Sequence, residues 1–476
     1  MNKITLFIGI YLWSILSLAY GQQKADRPNI IFILADDLGY GDVGFNGQKL
    51  INTPNIDRLA AEGIRFNQFY AGTSVCAPSR SSLMSGQHTG HTFIRGNKGV
   101  EPEGQYPIPD SVITIAEVLK QAGYQTGAFG KWGLGPVGST GDPNNQGFDR
   151  FYGYNCQSLA HRYYPTHIWD NHQRIALLEN GNLLNNKQYA PDMIQEQALQ
   201  FIETHQEGPF FLFLPYTLPH AELLVPDDSI FQYYKGKFPE NAYKGNDYGP
   251  GARVGGYTSQ AYPHATFAAM VGRLDLYVGQ ILHKLKELGI DENTLVVFTS
   301  DNGPHLEGGA DPRFFNSAGG LKGFKRDLYE GGIREPFVAR WPSHIQAGQQ
   351  SAFAGAFWDL LPTFAELADV KALPANLDGL SFVNALLGKN NQVKHDYLYW
   401  EFHEQGGKQA IRMGKWKGIR LNLFKNRAAP IELYDLETDP KEVHNVAAQH
   451  PDIVKQIDQL MKTSHRESSV FPWPAE

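Results

Sequence analysis

Cysteine is scarce: Cys76 and Cys156 are the only two among 476 residues. One bridge at most is available, and a chain of this length can hold itself together by its core instead. Charge of one sign is also scarce. A net charge of −7 argues against a nucleic-acid partner and against an anionic membrane surface. After the first 21 residues no segment is apolar enough to span a bilayer, which excludes stable membrane insertion. Internal repeats and low-complexity tracts are absent as well. What remains is an ordinary globular composition, 42% hydrophobic and 19% charged, with length for a large catalytic domain and a smaller one. The 49 glycines and 28 prolines indicate many loops, and 12% aromatic residues suit a sugar-handling surface or a large core equally.

The N-terminus has a single apolar run. Lys3 precedes Ile4–Leu18, and Ala19-Tyr20-Gly21 offers a small-x-small cleavage site. Residues 1–21 therefore read as a secretory signal cut after Gly21, giving a periplasmic or secreted protein. The competing reading, a membrane anchor, suffers from the short run and the lack of a basic flank beyond it. No cysteine follows the run, which argues against a lipidated terminus. Export makes a Cys76–Cys156 disulfide chemically possible.

Strand and helix signals then alternate. Asn29–Leu34, Tyr124–Phe129, Phe210–Leu214 and Leu295–Thr299 read as buried strands. Thr53 as N-cap, Pro54 and Gly63 frame one helix, and Thr114 with Glu117 has capping-box spacing in another, with Ile113 placed to staple to Val118. A long helix is expected over about Ala265–Leu288, a short one over Pro78–Met84, and a last one from Pro451 to about Thr463. The pattern predicts an α/β fold: a large, mostly parallel sheet sandwiched by helices. Beyond residue 390 the texture changes to antiparallel strands, so residues 22–390 read as a catalytic domain and 391–476 as a smaller C-terminal α+β subdomain.

Four strands run into polar clusters: Asp36-Asp37, Lys131, His220, and Asp301-Asn302. In an open parallel sheet all four lie on the rim beyond the strands' carboxyl ends, where ligands bind. Asp36, Asp37, Asp301 and Asn302 supply oxygen ligands only, a set suited to Ca²⁺ or Mg²⁺ and not to zinc. Either pair alone reads as turn residues; two pairs at the ends of apolar strands favour a metal. Cys76 stands where the short helix starts, with Arg80 one turn on. A cation, a helix N-terminus, an arginine and nearby lysines describe a site for a tetrahedral oxyanion, phosphate or sulfate. Up to this point Cys76 itself could be a disulfide partner, a thiol nucleophile or a metal ligand.

The stretch CAPSRSSLMSG resembles the signature of the type I, formylglycine-dependent sulfatases of the alkaline phosphatase superfamily. RPNIIFILADDLGYGDVG, GKWGLG, LPH, TSDNG, GFKRDLYEGGIREP and ELYDLETDP follow the family's order, so the resemblance covers nearly the whole chain after residue 21. It implies that a maturation enzyme oxidises Cys76 to formylglycine, whose hydrate is the nucleophile, beside Ca²⁺ in preference to Mg²⁺. It implies Asp36, Asp37, Asp301 and Asn302 as metal ligands, with the Cys76-derived oxygen completing the set and Asp301 acting as base. Arg80 would steady the diol, Lys131 and Lys325 would hold the sulfate, and His220 would protonate the leaving oxygen; Lys322 ranks below Lys325. One departure stands out. The family often has histidine two residues after the first lysine, and Gly133 stands there; His88 or His91 could substitute. Bacterial members that act on sulfated glycans carry the same glycine.

Substrate specificity falls to two polar, aromatic loops. Asn155–Arg174 offers His161 and Arg162, and Asn302–Phe315 offers His305 beside Glu307 and Asp311. Polar fingers beside aromatic faces suit a sugar ring. The expected activity is hydrolysis of sulfate esters on glycan fragments, with galactose or N-acetylgalactosamine 4-O-sulfate as the first candidate. The alternatives are a phosphoester or phosphonate hydrolase of the same superfamily and a catalytically decayed glycan-binding protein.

Overall fold

The computed structural model describes residues 27–248 and 256–473. The expected signal segment lies outside the described residues. Ten strands form one sheet: β1 Asn29–Ala35, β2 Ile64–Tyr70, β3 Gln125–Lys131, β4 Arg150–Tyr154, β5 His167–Asp170, β6 Gln173–Ala176, β7 Phe210–Pro215, β8 Thr294–Ser300, β9 Arg334–Arg340 and β10 Gln349–Ala356. Their spatial order is β10-β2-β9-β8-β1-β7-β3-β4-β5-β6. The five central strands, β8-β1-β7-β3-β4, are all parallel; β9 and β5 join their two edges antiparallel.

The apolar runs form strands because both sheet faces are covered. On β1, Ile31, Ile33 and Ala35 point into one core, with helices Pro54–Glu62, Ala190–Thr204 and Pro263–Glu287. Ile30, Phe32 and Leu34 point into the other, with Ile115–Lys120 and Leu360–Leu367. Each of the isoleucine, leucine and phenylalanine side chains contributes about 1.5–3 kcal/mol on burial, and the period of two places three residues on each face. Parallel register then lines up the strand ends. Ala35 pairs with Ser300, so Asp36 and Asp301 emerge side by side.

Local signals hold with two shifts. The capping box forms: Thr114 Oγ1 accepts from Glu117 N (3.3 Å) and Glu117 Oε2 accepts from Thr114 N (2.8 Å). Thr53 is the N-cap residue of its helix, but its side chain makes no capping bond. Asp275 on the long helix takes that role, accepting from Asn55 N and Ile56 N at 2.8 Å each. The cysteine helix begins two residues earlier than expected, at Cys76, with Val75 as N-cap and Gly86 closing it in the left-handed conformation. A second sheet, β11 Leu398–Phe402, β12 Lys408–Met413, β13 Trp416–Leu421 and β14 Ile431–Asp435, is antiparallel and is followed by helix Pro451–Ser464. Among the described residues no helix is long and apolar enough to cross a membrane.

Candidate active site

The helix Cys76–Ser85 is buried along its entire length, against the usual pattern of one exposed face. Its first residue is therefore held inside the molecule at the rim of the sheet. Ser79 locks it there: its hydroxyl donates to the Asp301 carbonyl (2.6 Å) and accepts from Gly72 N (3.1 Å). Pro78 in the first turn has no N–H to leave unpaired. Cys76 and Cys156 are both free and buried, so the disulfide left open by the sequence does not form.

Around Cys76 the four strand ends converge. Its Sγ lies 3.3 Å from Asp36 Oδ1. Lys131 Nζ donates to Asp36 Oδ2 at 2.6 Å, and Arg80 Nη2 lies 3.5 Å from the same oxygen. Arg80 also grips Asp301 Oδ2 through Nε (3.0 Å) and Nη2 (2.8 Å) and donates to the Lys131 carbonyl. Lys325 Nζ donates to Asp37 Oδ2 at 2.7 Å and lies 3.0 Å from His220 Nε2. Asn302 Nδ2 donates to Asp37 Oδ1 at 2.6 Å. Asp36, Asp37, Asp301, Asn302 and Lys131 are completely shielded from solvent.

Burial and charge set the protonation states. Burial raises the Cys76 thiol well above its ordinary value and Asp36 raises it further, outweighing the lysines. An unmodified thiol would stay protonated and weakly nucleophilic. Burial pushes Asp36 up, yet Lys131, His220 and Arg80 hold it well below the usual carboxylate range; burial and the neighbouring Asp36 push Asp301 the other way. Burial works against the charge on Lys131 and Lys325, but Asp36 and Asp37 keep both ammonium. His220 is driven well below its ordinary value by burial and then by Lys325. Its Nδ1–H donates to the Ala221 carbonyl, so Nε2 presents a lone pair toward Lys325.

The donor set fits a hard divalent cation. Asn302 Oδ1 is buried without a partner, and it stands with three carboxylates, an all-oxygen group of the kind calcium takes. Asp36, Asp37, Cys76 and His220 also bring their ligand atoms within 4.8 Å of one another. Three aspartates are balanced by Lys131, Lys325 and Arg80. A dication would give the box the positive excess that an anionic ester head requires.

Other residues singled out from sequence are placed as follows. His161 stacks on His220, centroids 4.5 Å apart and rings 9° from parallel. His305 also stacks on His220, with centroids 5.6 Å apart. It is fully buried, with Nε2 3.1 Å from the Pro219 carbonyl and Nδ1 3.3 Å from Glu307 Oε2, so both nitrogens face protein groups. Arg162 is engaged by Glu222 Oε2 (2.9 Å), the Tyr248 ring and the Gly256 carbonyl. Lys322 reaches Tyr434 and the Glu442 carbonyl of the C-terminal sheet. His88 and His91 pair with Asp378 beyond the far end of the cysteine helix, about 15 Å from Cys76 at the usual rise per residue. The space beside Gly133 is taken by Gln157: a Cβ there would stand 2.2 Å from Gln157 Nε2, and the backbone is left-handed (φ +77°). Tyr257, 5.7 Å from the His161 ring, and Arg326 were not foreseen; Tyr257 lies in no strand-end cluster or quoted motif, and Arg326 was passed over although it follows Lys325 within GFKRDLYEGGIREP.

A deep anion box at the carboxyl edge of a parallel sheet defines a hydrolase of tetrahedral oxyanion esters. The family model for sulfatases matches residues 28–370, and one described as N-sulphoglucosamine sulphohydrolase, C-terminal, matches 322–467. The chain is 32% identical to human arylsulfatase A, over 94% of this chain and 89% of that protein. It is 29% identical to N-acetylgalactosamine-6-O-sulfatase of Bacteroides thetaiotaomicron, over 93% and 94%. The crystal structure of Ps i-CgsB in complex with k-i-k-neocarrahexaose superposes with a TM-score of 0.78 at 30% identity, covering 94% of this chain and 95% of that one. The chain belongs to the sulfatase family: it is a sulfuric ester hydrolase with an alkaline phosphatase-like fold.

Proposed function

We propose that this chain is an exported carbohydrate sulfatase that removes sulfate from glycan fragments, using a formylglycine made from Cys76 and a bound Ca²⁺. The observation that carries the reading is the state of Cys76. It is the first residue of a wholly buried helix, its thiol is held protonated, and it sits at the focus of three carboxylates and three fixed cations. A thiol is poorly suited to that place; an oxygen nucleophile suits it well. The glycan assignment draws on the names of the relatives, which include an N-acetylgalactosamine-6-O-sulfatase and a complex with k-i-k-neocarrahexaose.

Cys76 Sγ marks where the hydrated aldehyde's oxygens would stand. Asp36, Asp37, Asp301 and Asn302 would hold the cation, which when bound lowers the pKa of the diol and neutralises sulfate oxygens. Asp301 is placed to take the proton of the diol hydroxyl that would attack sulfur. The sugar oxygen leaves with a proton delivered by His220 Nε2, and Lys325 Nζ, 3.0 Å away, can supply that proton. Lys131 and Lys325 hold the sulfate oxygens in a site without water's competing dipoles. The second hydroxyl would then return a proton to the His220–Lys325 pair that gave one up, so that the C=O bond could re-form as the C–O bond to sulfate breaks. Water rehydrates the aldehyde.

The test is a panel of 4-O- and 6-O-sulfated galactose and N-acetylgalactosamine, with an aryl sulfate and an aryl phosphate, on protein co-expressed with a maturation enzyme and loaded with Ca²⁺. Sulfate release from at least one sugar, lost in Cys76→Ala, is expected. Phosphate release alone, or glycan binding without turnover, overturns the reading.

A further inference from the structure

Arg326 follows Lys325 directly, but its backbone turns the other way. It adopts a left-handed conformation (φ +75°), rare for a side-chain-bearing residue. Two bonds clamp it there: Arg326 N donates to the Ser74 carbonyl (2.9 Å), two residues before Cys76, and Lys408 Nζ donates to the Arg326 carbonyl (2.6 Å). The guanidinium is thereby held at the rim of the site. Its side chain is 33% exposed, whereas the Lys325 side chain is 4% exposed. Asp37 and Cys76 are close enough to act on its charge.

The guanidinium is paired with Glu307, which itself reaches back to His305 Nδ1. Glu307 is one of the residues just past the metal ligands in sequence. Tyr257 completes the rim, close enough to feel Lys325, Glu307 and Arg326, with its ring 5.7 Å from His161. Arg326 has five N–H donors and Glu307 occupies only part of them. The pair is internally neutral, so it adds no pull on the anionic sulfate. It offers donors and acceptors at fixed separation beside an aromatic face, which matches neighbouring hydroxyls on a pyranose ring.

We propose that Arg326, oriented by Glu307, is a specificity-determining residue that hydrogen-bonds the neutral hydroxyls of the sugar next to the sulfate ester. This rests on the carbohydrate sulfatase reading above. Wild-type turnover of a sulfated sugar tests that reading; the ratio between variant and wild type on two substrates tests this one. The substrates are the best sulfated monosaccharide of the panel and an aryl sulfate, which has no hydroxyls beside its ester. The variants are Arg326→Asn, whose residue type tolerates the left-handed backbone, and Arg326→Lys, which keeps the charge without the fork. Arg326→Asn is expected to lower kcat/KM for the sugar roughly 10- to 100-fold, mainly through KM, and at least tenfold more than for the aryl ester. Arg326→Lys should recover only part of it. Equal losses on both substrates would assign Arg326 to the support of Lys325 and overturn the proposal. No loss on either overturns it too. A selective loss confined to sugars bearing a second sulfate or a carboxylate, with singly sulfated sugars untouched, also overturns it, because the contact would then be to charge.

Discussion

Lys131 and Lys325 are each fixed to a different aspartate, Asp36 and Asp37. Replacing Lys325 by alanine should lower kcat/KM on any sulfate ester roughly 10²- to 10³-fold, by loss of a preorganised charge; a change under threefold in steady-state assays would remove it from the site. Asn302→Ala should weaken Ca²⁺ binding, read by calorimetry on the protein without substrate, since the one orphaned buried oxygen of the set is removed. At Gly133 any side chain meets Gln157 and a positive φ, so Gly133→Ala should lower the unfolding free energy by about 1–3 kcal/mol in a urea titration. The strand-end residues were legible in the sequence because a parallel sheet gathers its carboxyl ends by construction. Which member of a loop faces inward was not. His161 and Arg162 are adjacent, yet one stacks on His220 and the other is held by Glu222 and Tyr248. Tertiary partners far along the chain decide that, and no local pattern encodes them.

At the scale of elements, the cysteine helix is pinned at both ends, and beyond its far end two histidines gather on an aspartate. His88 Nδ1 accepts from Gly90 N, and His88 and His91 face Asp378. Burial lowers His88 to about 4 from 6.5, despite Asp378. The folded state therefore keeps His88 neutral while the unfolded chain takes up a proton below pH 6.5. Stability should fall as pH drops from about 6.5 to 4, by on the order of 3 kcal/mol from this group. The slope of unfolding free energy against pH in that window should flatten in His88→Gln; an unchanged slope would contradict the assignment. The continuous apolar strands β1, β7 and β8 were readable because both faces are buried. β2 and β9 were not: their polar and charged residues break the run, and they are strands because they pair with each other antiparallel beside β8. Thr53 stands at the N-cap of Pro54–Glu62 as read, but the carboxylate that caps the helix could not be read for the same kind of reason, since Asp275 arrives from a helix more than 200 residues away.

At the scale of the molecule, the small sheet braces the loop that carries Lys325 and Arg326. Lys417 of β13 donates to Glu330 Oε1 (2.8 Å) and lies 3.2 Å from Glu442 Oε1, all three fully buried. Glu330 stands five residues after Lys325, and Glu442 accepts from its backbone N–H at 2.7 Å. Lys417→Met would leave Glu330 and Glu442 without their shared cation, costing about 3–5 kcal/mol. Denaturant unfolding should show that loss, and turnover should fall with it even though Lys417 touches no substrate. Texture alone announced a separate C-terminal sheet; it could not announce that the sheet's buried lysine anchors the loop that carries Lys325. The most direct measurement of the whole account is the mass of tryptic peptide Phe66–Arg80 from active enzyme. The account predicts a peptide lighter than the unmodified one, unreactive to thiol alkylation and captured by a hydrazide. Full turnover by protein whose peptide carries an alkylatable Cys76 thiol would contradict it.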